Sequence, residues 1–293
     1  MKVVIPGGTG QVGTILSRAF HAAGHEVVVI SRKPGKGAWR TATWDAETLG
    51  DWAAEFDGAN VIINMAGRSV NCRYTSENRR SIMESRLKST RIIGEAITRV
   101  SHPPQVWLQA STATIYAHRY DAPNDEATGI LGGSEPNAPD TWRFSINVAT
   151  AWERAASEAA TPHTRKVLMR TAMIMSPDRG GVFDVLLNLV RFGLGGRFGD
   201  GRQYFSWIHD QDFIRSVFWL IEHNNIEGPV NLASPQPLPN VDFMRNLRSA
   251  WGSSIGLPAT RRMLEIGSFF LRTETELVLK SRRVIPGRML QAG

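Results

Sequence analysis

The chain has 293 residues, an apolar fraction of 42% and 34 Lys plus Arg against 27 Asp plus Glu, a net charge of +7; one α/β unit with a smaller appendage accounts for that length. Its single cysteine, Cys72, excludes an internal disulfide framework and a multi-cysteine zinc site, and no metal site is expected. No signal peptide precedes the first apolar stretch and no uncharged apolar run reaches about 18 residues, so a soluble, cytoplasmic protein without a membrane partner is expected.

In chain order, Val3, Val4 and Ile5 read as a short buried strand, followed by Pro6-Gly7-Gly8-Thr9-Gly10-Gln11-Val12-Gly13. An amphipathic helix follows over Thr14 to Ala23, with Ile15, Leu16, Ala19 and Phe20 at helical spacing. Strand, glycine turn and helix form the first unit of a dinucleotide-binding fold. One glycine makes the tight turn, one lets backbone approach a pyrophosphate, and one lets helix pack on strand. The helix N-terminus then offers free N–H groups to the phosphates. Gly7, Thr9, Gly10, Gln11, Val12 and Gly13 are the candidate cofactor residues of this turn.

Glu26 to Ile30 reads as a second strand that ends in Ser31-Arg32-Lys33. An acidic residue here would hold the ribose 2′-hydroxyl of NAD, whereas Arg beside a hydroxyl accommodates the 2′-phosphate of NADP. No Asp or Glu occurs from Val27 to Lys36, so NADP is the expected cofactor, with Ser31 and Arg32 as its phosphate partners. Thr41 to Trp44 reads as a third strand ending at Asp45, whose carboxylate either reaches the adenine edge or caps the next helix. Val61 to Ile63 is a fourth strand, and Asn64, Met65, Ala66 and Gly67 at its end fall in the ligand crevice of an open parallel sheet. Ser76 to Val100 reads as one long helix; Arg79 and Arg86 share a face of it, and Arg86 is within reach of phosphate.

A fifth strand begins at Val106 and ends near Ser111-Thr112. Ala117 to Thr141 is a long polar loop, a length common in lids and binding loops. A helix over Trp142 to Ala160 and a sixth strand over Val167 to Met169 close the βαβ series. Beyond Pro177 the alternation weakens: a helix over Val182 to Phe192, a glycine-rich run to Gly201, a strand over Tyr204 to Ile208, a helix over Phe213 to Glu222 capped by Asp212, and a short strand over Pro229 to Leu232. The last sixty residues read as helices broken by prolines. The expected fold is therefore α/β: a Rossmann-like, doubly wound parallel sheet with a smaller, mainly helical C-terminal cap. Residues 1–174 form the NADP-binding part, with segments of about 203–233 returning to it, and residues 175–293 form the substrate cap.

With these segments placed, the chain resembles the extended short-chain dehydrogenase/reductase superfamily, and within it an atypical branch known as epimerase family proteins. The resemblance runs from Met1 to about Leu290 and rests on residues 7–13, Asn64-Met65-Ala66-Gly67, Ser85-Arg86 and Trp152-Glu153. It continues through Gly193-Leu194-Gly195-Gly196, Ser206-Trp207-Ile208-His209, Pro229-Val230-Asn231-Leu232 and Arg283-Val284-Ile285-Pro286. It implies a Rossmann-like domain binding NAD(P), a substrate cap beginning near Met175, and a homodimer through the two long helices. Reductases and epimerases of this superfamily use Tyr-x-x-x-Lys with a Ser or Thr after the fifth strand. Here no Tyr is followed four positions later by Lys; Phe144 and Val148 stand at those places. Ser111 matches the hydroxyl position, as a candidate both for catalysis and for the cofactor.

Other groups are candidates for proton transfer: Tyr116, just past the fifth strand, and His209, the only histidine inside a family-like motif. Arg73 suits an anionic group on a substrate, and Cys72 beside it reads as a buried, inert thiol. The expected function is an NADP(H)-binding oxidoreductase or epimerase-like enzyme acting on a small molecule with a rearranged acid/base set. The alternative is a non-catalytic NADP(H)-binding sensor. The positive charge alone supports no nucleic-acid partner, because no motif of the required spacing is present.

Overall fold

A computed structural model describes residues 1–33, 35, 37–260, 262–265 and 274–293. Seven parallel strands form the central sheet: β1 (Lys2–Pro6), β2 (Glu26–Ser31), β3 (Arg40–Thr43), β4 (Val61–Asn64), β5 (Val106–Thr112), β6 (Arg165–Thr171) and, later in the chain, Gly228–Leu232. Continuous Val/Ile runs such as Val27 to Ile30 and Val61 to Ile63 build it, because each strand is covered on both faces. Alternation sends Val3, Ile5, Val27 and Val29 to one face and Val4, Val28 and Ile30 to the other.

Helix α1 (Gln11–Ala22) brings Leu16 and Phe20 to the first face. On the opposite face, α2 (Ser76–Arg99) supplies Ile92, Ile93, Ala96 and Ile97, and α3 (Asp140–Ser157) supplies Ala156. The strand order is β3-β2-β1-β4-β5-β6, with Gly228–Leu232 beyond β6. The order reverses between β1 and β4, and an open sheet binds ligands outside the strand ends at such a point. The fold is Rossmann-like. The seventh strand extends the six-strand series, because Gly228 to Leu232 pairs in parallel register with Val167 to Thr171.

After β6 come β7 (Met173–Met175), α4 (Val182–Arg191), β8 (Tyr204–Phe205), β9 (Trp207–His209), α5 (Asp210–Glu222), β10 (the Gly228–Leu232 strand), β11 (Leu238–Pro239) and α6 (Asn240–Trp251). The Tyr204 to Ile208 stretch is two strands: β8 pairs with β11, while β9 pairs with β7. Helix α5 starts two residues before the expected Asp212 cap. The His209 ring accepts from the Gln211 amide instead, and Asp212 lies in the first turn, paired with Arg215 at 3.0 Å. A second hydrophobic cluster gathers Met175, Leu186, Val190, Phe198, Phe205 and Met244.

The Arg283-Val284-Ile285 stretch is an extended strap. Arg282 donates from its amide to the Tyr204 carbonyl, Asn124 donates to the Arg283 carbonyl, and Val284 is fully buried. No described helix is long and apolar enough to cross a membrane.

Candidate functional site

The glycine turn is shaped as its composition requires. Gly7 has φ +77°, and a Cβ there would sit 2.5 Å from the Ala66 amide nitrogen. A Cβ on Gly13 would sit 2.5 Å from Gly8 Cα, so only glycine lets α1 pack this closely on the turn. Gly10 differs: a Cβ there meets nothing nearer than the Gly7 carbonyl at 3.6 Å, leaving space over the turn. Gly10 is also the N-cap of α1; it gives no side-chain cap, and the first turn carries no acidic residue. The positive helix end is thereby kept for an anion. The residues fit a dinucleotide pyrophosphate.

This turn forms one wall of a cleft of about 300 Å³, lined also by Ser31, Arg32, Asp45, Met65, Ala66, Gly67, Arg68 and Lys88. The Asn64 side chain fixes the far wall. Its amide donates to Gln109 at 2.9 Å, and its oxygen accepts from the Ala66 amide at 2.9 Å. Most charges in the cleft are already engaged. Lys88 pairs with Glu47 at 3.0 Å, and Arg68 donates to Asn78. Asp45 accepts from the Glu47 and Thr48 amides and the Thr48 hydroxyl, and these bonds hold its carboxyl down at about 2. Asp45 therefore caps the turn that follows β3 while still lining the cleft. Arg32 is exposed and pairs with no carboxylate among the described residues. Ser31 donates its hydroxyl to the Lys33 carbonyl.

Gln11 and Val12 face elsewhere. The Gln11 amide donates to the Asp178 carbonyl at 3.0 Å, while Val12 packs on the sheet core. Arg86 lies between this cleft and the next. It donates to the Arg68 and Ile82 carbonyls, stacks over Trp152 at 4.9 Å, and is held down to about 10 by burial.

A smaller pocket of about 120 Å³ opens past the end of β5. Thr112, Thr114, Phe144, Ser145, Val148 and Trp152 line it, together with Tyr74, Arg86, Glu276 and Arg282. Phe144 and Val148 both line this pocket and give that side of it an apolar surface. Its polar groups come from well-separated places in the chain. Ser145 on α3 donates to Glu276 Oε2 at 2.5 Å, and the Tyr74 hydroxyl lies 3.4 Å from Ser145 Oγ. Burial pushes the Tyr74 phenol up to about 12. Glu276 belongs to a short helix, Glu276–Leu279, and Glu274 just before it accepts from the Tyr74 amide at 2.8 Å and from Arg73 at 3.2 Å. These contacts fix the C-terminal segment against residues 73–74.

The sequence-derived catalytic candidates fall outside this pocket's lining. Ser111 is buried and donates to Glu153 Oε1 at 2.6 Å. Tyr116 follows a 3-10 turn (Ala113–Ile115) that rotates it inward, where it is 2% exposed. Its hydroxyl donates to Asn231 at 3.0 Å and accepts from Arg170 at 2.9 Å. Arg170 in turn holds Glu153 through two bonds of 2.8 Å. Tyr116 therefore points away from the crevice, into a closed polar network. His209 caps α5 on the exposed side of β9. Cys72 is half-buried, with its sulfur 4.0 Å from the Ser69 carbonyl. Ser145 and Glu276 went unnoticed in the sequence because 131 residues separate them and neither lies in a local motif.

A parallel sheet with a glycine turn at its switch point and a pocket past the end of β5 defines a Rossmann-like protein of the nucleotide-binding class. The chain belongs to the NAD dependent epimerase/dehydratase family, whose model matches residues 3–233. It is 31% identical to the human epimerase family protein SDR39U1 over 296 residues, covering all of this chain and 94% of the relative. An epimerase family protein of Staphylococcus epidermidis is 29% identical over 292 residues, again across all of this chain and 93% of the relative. Among solved structures, human SDR39U1 (isoform2) with NADPH superposes with a TM-score of 0.86 at 31% identity, over all of this chain and 94% of that one. A Bacillus cereus UDP-glucuronic acid 4-epimerase, at 17% identity and a TM-score of 0.70 over 89% of this chain and 86% of that one, shares the fold.

Proposed function

We propose that this chain is an NADP(H)-dependent oxidoreductase or epimerase-like enzyme. The carrying observation is Arg32: an exposed guanidinium at the end of β2, without a carboxylate partner among the described residues, in the same cleft as Gly7, Thr9 and Gly10. A ribose 2′-phosphate would meet that charge, whereas a 2′-hydroxyl would meet no acidic residue on the β2 end. The two acidic residues in the cleft are occupied by Thr48 and Lys88. The NADPH held by the human relative supports the same reading.

In this reading the pyrophosphate lies on the α1 N-terminus, and Met65, Ala66 and Gly67 flank the adenosine half. The small pocket past β5 takes the nicotinamide, which when bound gives or accepts a hydride. The larger cleft of about 730 Å³, lined by residues including Arg73, His118, Glu135, Trp142 and Asp200, gives room for a substrate beneath the cap.

The test is oxidation of NADPH by purified protein, followed by absorbance, against aldehydes, ketones and sugar nucleotides. Steady turnover with one of these is expected. A second reading, a sensor that binds NADP(H) without turning over, is favoured by the apolar Phe144 and Val148. Tight NADPH binding with neither NADPH oxidation nor an epimerised product, analysed by chromatography, across the panel would select it.

A further inference from the structure

We infer that Glu276 and Ser145 form the proton-transfer pair of the small pocket, in the role that Tyr-x-x-x-Lys plays in related reductases. The inference rests on the NADP(H) reading above. Three observations carry it. Ser145 neighbours Phe144 on α3, so it reaches the pocket from the helix that would otherwise carry the catalytic tyrosine. Its hydroxyl touches Glu276 Oε2 at 2.5 Å, and Tyr74 extends the chain of oxygens at 3.4 Å. Finally, Glu276 is 1% exposed, yet its Oε1 takes part in no hydrogen bond among the described residues. A carboxyl kept only for structure would be expected to satisfy both oxygens. Here Oε1 has an ion pair with Arg282, whose Nη2 stands at 3.7 Å, but no hydrogen bond among the described residues, and Oε2 alone meets the Ser145 hydroxyl.

The charged neighbours set the balance. Arg282 Nη2 stands 3.7 Å from Oε1, with Lys280 also favouring the carboxylate and Glu274 opposing it. Burial outweighs these and pushes the Glu276 carboxyl up, which favours its proton-carrying form.

The step balances. A substrate carbonyl carbon gains a hydride with its electron pair from the reduced nicotinamide, and the C=O π pair moves to oxygen. That oxygen takes the Ser145 proton as the Ser145 O–H bond breaks. Ser145 Oγ takes the proton of the Glu276 carboxyl, which is left as a carboxylate opposite Arg282. Alcohol oxidation runs the same path in reverse, and solvent restores the proton afterwards.

The test counts protons without needing a substrate. NADP⁺ and NADPH are titrated calorimetrically into the full chain in buffers of different ionisation heat. The two share the same phosphates and differ in the positive charge of the oxidised ring. Beside Glu276 that charge favours the carboxylate, so the wild type should release up to one more proton with NADP⁺ than with NADPH. Glu276→Gln should bind both nucleotides with equal proton counts. Ser145→Ala removes a bond to the carboxylate, so it should move the pH midpoint of the difference upward. It also serves as the independent variant if Glu276→Gln does not fold. Equal proton counts in the wild type, a difference that survives Glu276→Gln, or a midpoint unmoved by Ser145→Ala would overturn the inference. If neither nucleotide gives binding heat, the NADP(H) reading itself fails, and that outcome is distinct because no proton count is obtained.

Discussion

Replacing Arg170 with Met tests how much the closed polar network behind β5, which engages Ser111 and Tyr116, contributes to stability. Arg170 is 6% exposed and makes three bonds of 2.8 to 2.9 Å, two to Glu153 and one to the Tyr116 hydroxyl. Glu153 is 8% exposed, so the substitution leaves a buried carboxylate with only the Ser111 hydroxyl to meet it. Breaking a buried pair from one side costs about 3 to 5 kcal/mol. At roughly 2 °C per kcal/mol for a chain of this size, Tm should fall by ~6 to 10 °C.

Replacing Glu153 with Met as well removes the uncompensated charge. It orphans the Ser111 hydroxyl, at about 1 kcal/mol, while Tyr116 keeps Asn231. The double variant should therefore recover at least about 2 kcal/mol relative to Arg170→Met alone. Urea denaturation of the wild type, both single variants and the double variant gives the coupling energy. A loss under about 1 kcal/mol for Arg170→Met, or a double variant as unstable as the sum of the single ones, would refute the reasoning.

Three further outcomes follow from the turn and the buried lysine. Gly13→Ala drives a methyl into the Gly8 backbone, so it should cost at least about 1 to 3 kcal/mol and abolish NADPH binding, read by thermal melt and by nucleotide fluorescence. Gly10→Ala meets no atom nearer than 3.6 Å, so stability should change by less than about 1 kcal/mol. Its methyl occupies the space over the turn, and NADPH affinity should fall at least ~10-fold, the 1.4 kcal/mol of one lost phosphate contact. Lys280 is fully buried, donates to the Thr114 carbonyl at 2.8 Å, and is pushed down from 10.5 to about 8 by burial. Between those values the unfolded chain binds the extra proton, so stability should rise with pH by on the order of 3 kcal/mol. Denaturation across that range should show the slope in the wild type and lose it in Lys280→Met; a flat wild-type profile would contradict it.

The parts of the site that the sequence revealed are local. The glycine turn, Ser31-Arg32 and Asn64 to Gly67 each follow a strand whose apolar run announces it, and strand ends in a parallel sheet gather at one edge. The parts it hid depend on distance along the chain. Tyr116 was expected to face the crevice, but the three-residue 3-10 turn before it aims it at Asn231, 115 residues away. His209 lies in a family-like motif because it caps α5, a task invisible without knowing where that helix starts. The Arg283 to Pro286 motif is spent on threading the strap past Asn124 and Tyr204. Ser145 and Glu276 become neighbours only once the segment beginning at Glu274 is placed, because Glu274 anchors it to Tyr74 and Arg73.

The most direct measurement is calorimetric titration of NADPH and NADH into the wild type and Arg32→Ala. Charge-assisted contacts to a phosphate contribute about 1.5 to 3 kcal/mol, so the wild type should prefer NADPH by at least ~10-fold. Arg32→Ala should lose most of that preference by weakening NADPH while leaving NADH unchanged. Equal affinity for both nucleotides in the wild type, or a preference untouched by the substitution, would contradict the assignment of this cleft to NADP(H).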